Sequence, residues 1–247
     1  MSVTQYIFLF ASVFLGGLIA FFLRQGQQRF LQLVLAFSGA YILGISVLHL
    51  LPEVYLEGSS NSGLWILLGF FIQLFLEQLS RGVEHGHMHA LHGTQVSTAI
   101  SVMIGLCLHA LLEGVPLAGY DQVHAGHHHH DHDHGHQFLL AGIILHKIPA
   151  AFALSSLLLL SGFSRRFTII CLIIFSLMSP MGAFIGNFLP LNLELHLIFL
   201  SLVIGSFLHI STTILFESDN SNHHRISITK LAMIIVGTLL AWGTTLL

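Results

Sequence analysis

Two stretches decide how this chain is read: VSTAISVMIGLCLHALLEGVPLA over residues 96–118 and QFLLAGIILHKIPAAFALSSLLLL over residues 137–160. Each is long and apolar enough to cross a hydrocarbon core roughly 30 Å thick as a helix. Each nonetheless carries ionisable residues near its middle, His109 and Glu113 in the first and His146 and Lys147 in the second. Such groups are costly in hydrocarbon, so a spanning helix that keeps them is expected to use them.

The rest of the composition agrees with a membrane location. The chain is 54% hydrophobic and 8% charged, with a mean hydropathy of +0.84, outside the range of a soluble globular domain. Eight Lys and Arg against eleven Asp and Glu leave a net charge of −3 and no basic face for nucleic acid. Cys107 and Cys171 both sit in apolar runs, which excludes a disulfide framework or a CxxC motif and assigns them to packing. Apolar runs recur over residues 4–23, 31–51, 63–80, 96–118, 137–160, 167–189, 195–216 and 229–247. They predict an all-α polytopic membrane protein of eight spans, organised as a single transmembrane domain over residues 1–247. The first run lacks a basic leader region and is read as a retained helix rather than a signal peptide.

Positive charge orients the spans, because short cytoplasmic loops collect Lys and Arg. Arg24 and Arg29, Arg81, Arg165 and Arg166, and Arg225 and Lys230 fall in alternate connections, all on one side. Glu53, Glu57, Asp121 and Glu194 mark the opposite side. Both termini are therefore expected outside the cytoplasm, in a plasma or inner membrane. Two polar loops are dense in histidine: His85, His87, His89 and His92 on the cytoplasmic side, and eight His from His124 to His136, with Asp131 and Asp133, outside. Imidazole suits zinc, copper, nickel and iron, so the tracts read as metal-collecting segments; the bland alternative is a solvated connector of biased composition.

His109 and Glu113 are spaced i, i+4 and share one helix face. His109 lies nine residues from Ala118 and His146 nine residues from Gln137, about 13 Å from their common external loop at roughly 1.5 Å per residue. Two histidines and a carboxylate at one depth suit zinc or another borderline divalent cation, and three protein ligands leave a position open for exchange. The competing reading is hydrogen bonding within a packed bundle. Pro116 and Pro149 are expected to kink their helices beside the site. Gly114, Gly119, Gly142, Ala150 and Ala151 are expected to bring spans 4 and 5 close together.

Taken as motifs, His109-Ala110-Leu111-Leu112-Glu113-Gly114, His146-Lys147-Ile148-Pro149-Ala150 and His49-Leu50-Leu51-Pro52-Glu53 resemble signatures of the ZIP family of metal transporters, over essentially all eight spans. The resemblance implies movement of divalent metal into the cytoplasm and a 3+2+3 helix arrangement, with spans 4 and 5 held between inverted three-helix repeats. It also implies a second metal position in many members, for which this chain offers Ala110, Lys147 and Ala150. None of these readily binds a cation, so the expected site is mononuclear: His109, Glu113 and His146. Lys147 either stands where a second metal would lie or pairs with Glu113.

His49 and Glu53 are further candidates on the inward path, and Glu77 on the way out. His209, Ser176, Ser179 and Asn187 are assigned to packing or hydrogen bonding. The expected cargo is Zn²⁺, with Fe²⁺, Mn²⁺ and Cd²⁺ compatible with the same ligands, and no resident cofactor is expected. The lipid bilayer and a second copy of the chain are the other candidate partners. An intramembrane zinc hydrolase is the main rival function, and the chain has no HExxH signature to support it. A metal-sensing or storage protein built on the His tracts is the other.

Overall fold

Hydrocarbon offers no partner for a backbone N–H or C=O, so a chain of this hydropathy must satisfy its backbone within helices. The computed structural model describes residues 1–22, 28–58, 61–83, 96–123, 133–189, 192–216 and 227–246, and among them there is no strand. The helices are α1 (Val3–Ile19), α2 (Gln28–Ile45), α3 (Leu51–Glu57), α4 (Ser62–Ser80), α5 (Val96–Val123), α6 (Asp133–Leu160), α7 (Arg165–Phe188), α8 (Leu193–Phe216) and α9 (Ile228–Gly243). A π turn, Ser46–Leu50, joins α2 to α3, so the two form one continuous span. Six spans have the length and hydropathy of a membrane crossing, and α1 and α9 are shorter apolar helices. The chain is a multi-pass, all-helical membrane protein.

Local chemistry sets the element ends. Ser2 and Gln5 form a capping box on α1, with Ser2 N–H donating to Gln5 Oε1 at 2.8 Å. Ser164 Oγ accepts from Phe167 N–H at 3.2 Å and starts α7. Between α6 and α7, Gly162 takes a φ of 83°, which a residue without Cβ adopts freely. The second span runs past its expected end at residue 51 because the widened turn precedes Pro52. That proline cannot donate to Leu48 O, and its ring would crowd that carbonyl in a regular helix. α5 and α6 run as continuous helix past Pro116 and Pro149.

Four helix pairs dominate the packing: α1 with α6, α5 with α7, α4 with α8, and α2 with α9. Numbering the eight spans in order, the exchange of 1 with 6, 2 with 7, 3 with 8 and 4 with 5 carries these four pairs onto one another. Two apolar layers result. One holds Leu35, Leu106, Ala110, Leu154, Leu172 and Phe175, the other Leu9, Leu117, Leu139, Ile143, Val203 and Phe207. The outward faces stay apolar, as Leu67, Phe71, Leu74 and Phe75 of α4 illustrate. Only a lipid phase accommodates so much exposed hydrocarbon.

The glycines of the central stretch serve a different contact from the one expected. A Cβ on Gly114 would meet Ser179 O at 2.2 Å, and one on Gly182 would meet Leu111 O at 2.1 Å. Gly114 therefore closes α5 onto α7, and Gly142 faces Ile45 and Phe207; neither joins spans 4 and 5 to each other. The expectation fails because a helix apolar all round has no stripe to reveal which neighbour a small residue faces. Gly182→Val should force α5 and α7 apart and cost more than the ~1–3 kcal/mol of ordinary overpacking. The expected result is a lower unfolding temperature in detergent and a loss of the monodisperse peak in size exclusion.

Arg24, Arg225, His85, His87, His89, His92 and the tract over residues 124–132 lie outside the described residues.

Candidate metal centre

The site lies between the two apolar layers. In α5, Leu106 and Ala110 belong to one layer and Leu117 to the other; in α6, Ile143 and Ala150 are divided in the same way. His109, Glu113, His146 and Lys147 occupy the gap and are 2%, 1%, 4% and 1% exposed. His109 and His146, equally far from their shared loop, do meet, with ring centroids 5.7 Å apart.

Glu113 is the hub. Its Oε1 lies 2.7 Å from His109 Nε2 and 3.2 Å from His146 Nε2. Its Oε2 lies 2.6 Å from Lys147 Nζ. The two imidazole nitrogens and a carboxylate oxygen all fall within 4.8 Å of one another. They meet by distance yet not with the angles of hydrogen bonds, and all of them are buried polar atoms without such a bond. Buried polar atoms in a folded protein are normally satisfied, so convergence without hydrogen bonding is the arrangement expected of donors aimed at a shared cation. The Lys147 ammonium lies on Glu113 and 5.5 Å from the Phe175 ring centroid.

Each histidine is held from behind. His146 Nδ1 contacts Gly142 O at 3.0 Å, one turn back in α6, and Phe207 packs edge-on to its ring. His109 Nδ1 contacts Ser206 Oγ of α8 at 3.3 Å, and Ser206 donates to Gln73 Oε1 of α4 at 3.1 Å. A cavity lined by Gln73, Leu76, His109, Glu113, Val203 and Ser206 lies alongside.

The peripheral candidates separate. Glu77 pairs with His209 at 2.5 Å, and Phe70 packs edge-on to that imidazole. Of the two roles expected of His209, packing or hydrogen bonding, the structure shows the second, because α8 faces α4 along its length. Matched spacing was the available signal: Gln73 and Glu77 are four apart, Ser206 and His209 three apart, so polar faces on two helices stand opposite each other. Glu53 accepts from Tyr120 O–H at 2.9 Å, and Tyr120 packs edge-on to His196 and His136. His49 lies elsewhere, stacked on Phe138 and bonded to Thr244 Oγ1 at 2.9 Å. None of His49, Glu53 or Glu77 joins the central cluster.

A family model described as ZIP Zinc transporter matches residues 83–243. Zinc transporter ZIP9 of Micropogonias undulatus is 28% identical over 130 residues, 53% of this chain and 39% of that protein. Zinc transporter ZIP9-B of Xenopus laevis is 28% identical over 123 residues, 48% of this chain and 37% of its own. Protein zntB of Dictyostelium discoideum is 34% identical over 77 residues, covering 31% and 20%. The chain thus spans less than two fifths of the length of each of these relatives.

Proposed function

The chain belongs to the family of ZIP zinc transporters, and from that premise we propose that it carries divalent metal, zinc foremost, into the cytoplasm through one site made by His109, Glu113 and His146. The observation that carries this reading is the convergence of three buried donors at one level between two apolar layers. Three ligands leave a position for water or a departing ion, which a carrier needs and a closed structural site lacks. Zinc, iron, manganese and cadmium remain compatible with the donor set, since geometry rather than ligand type separates them. The helix pairing supports the 3+2+3 arrangement, because the exchange that relates the pairs is the one two inverted three-helix repeats would impose.

Lys147 makes the centre mononuclear. Its ammonium takes the second oxygen of Glu113, and a second cation beside it would meet like charge in a low-dielectric layer. On the side of Arg81, one turn along α4 from Gln73, Glu77 and His209 stand as the next donors and mark the way out. Glu53, beside Tyr120, is placed on the opposite side, with both termini outside the cytoplasm. His49 belongs to this path less directly, being engaged with Phe138 and Thr244.

Radioactive zinc uptake into proteoliposomes tests the reading. His109→Ala and His146→Ala should each reduce uptake to the level of protein-free vesicles while the protein still reconstitutes. If both variants move zinc as wild type does, the assigned site is wrong.

A further inference from the structure

Behind His109 stand two side chains that touch no metal position. Ser206 Oγ lies 3.3 Å from His109 Nδ1 and donates to Gln73 Oε1 at 3.1 Å. A hydroxyl has a single hydrogen to give. With that hydrogen on Gln73, the serine oxygen meets His109 as an acceptor, and the imidazole must supply the N–H. The ring proton is then on Nδ1 and the lone pair on Nε2, the nitrogen 2.7 Å from Glu113 Oε1. His146 reaches the same state by a shorter route. Its Nδ1 faces Gly142 O, and a carbonyl only accepts, so α6 fixes this tautomer alone. His109 depends instead on α4 and α8.

We propose that Gln73 and Ser206 are positioning residues of the metal site, holding His109 in the tautomer and ring orientation that present Nε2 as a lone pair to a divalent cation. The proposal rests on the assignment of His109, Glu113 and His146 as the site. Burial gives the pair its leverage: Gln73 is 1% and Ser206 8% exposed, and the neighbouring cavity wall is mostly apolar, with Ile72, Leu76, Leu112 and Val203. A bond lost there finds no ready replacement. Both residues come from helices that contribute no ligand, so α4, α5 and α8 meet at one imidazole.

Groups that orient a metal-binding histidine typically account for about 10- to 100-fold in metal affinity. Ser206→Ala should therefore raise the KM for zinc uptake into proteoliposomes by about tenfold or more while leaving the maximal rate per reconstituted protein near wild type. Gln73→Met should act in the same direction, since Ser206 is then free to donate to Nδ1 and reverse the tautomer. Ser206→Thr keeps the hydroxyl and should keep the wild-type KM. A merely structural role would lower the amount of active protein, and with it the maximal rate, at unchanged KM. The proposal stands only if Ser206→Ala and Gln73→Met raise KM and Ser206→Thr does not; any other pattern overturns it. Should Ser206→Ala fail to fold, Gln73→Met and Ser206→Thr decide by the same rule. His109→Ala, run alongside, separates the two levels: full uptake in that variant defeats the site itself. Lost uptake there, with unchanged KM in the others, defeats only the positioning role.

Discussion

Glu113→Gln should abolish zinc uptake and also destabilise the metal-free protein, a pairing of effects that no other single change at the site shares. Among the described residues the carboxylate is the one anion in the central cluster, contacted by His109 and His146 through Oε1 and by Lys147 through Oε2. Glutamine preserves the shape and removes the charge. Uptake should fall more than about a hundredfold, because even groups behind the ligands account for roughly 10- to 100-fold in affinity. Lys147, 1% exposed, would at the same time be left as a buried cation without a counter-charge. Breaking one side of a buried pair costs about 3–5 kcal/mol. Zinc uptake in proteoliposomes and thermal unfolding in detergent with a chelator present measure the two effects. A variant that transports zinc at the wild-type rate would remove Glu113 from the ligand set.

Lys147→Met should separate the same two effects. Methionine fills similar volume without charge, so Glu113 loses its 2.6 Å partner and the metal-free protein should lose about 3–5 kcal/mol. Zinc supplies positive charge to the same carboxylate. Added zinc should therefore recover much of the loss, on the order of 2.7 kcal/mol at a hundred times its dissociation constant. Glu113→Gln should show no such rescue. The double variant Glu113→Gln with Lys147→Met carries neither charge and should regain most of the stability while still failing to transport. Unfolding temperatures of the three proteins, with and without zinc, read this out. Equal temperatures for Lys147→Met and wild type in the absence of zinc would show that the pair contributes nothing to the fold.

Much of the site was legible because of what hydrocarbon forbids. His109, Glu113 and His146 stand out in runs that tolerate no idle polar group, and equal distance from a shared loop sets them at one depth. Their partners were harder to read. Gln73 and Ser206 are separated from His109 by 36 and 97 positions, and spacing within one helix marks a polar face without naming the helix that it meets. The partner of His209 was hidden for the same reason: Glu77 lies on α4.

The sequence by itself determined that the chain is an all-helical, multi-pass membrane protein, because long apolar runs must satisfy their backbone groups internally in hydrocarbon. It also pointed to His109, Glu113 and His146 as neighbours, through the i, i+4 spacing of the first two and the equal distance of His146 from the shared loop, and the three do come together. Only the tertiary structure decided that Lys147 turns to Glu113, that Gly114 and Gly182 close α5 against α7, and that α4 and α8 hold His109 from behind. Spans that are apolar on every side carry no stripe to name their neighbours. Which faces meet is settled by close packing of small residues and by the few polar groups that must find one another in a medium that offers them nothing else.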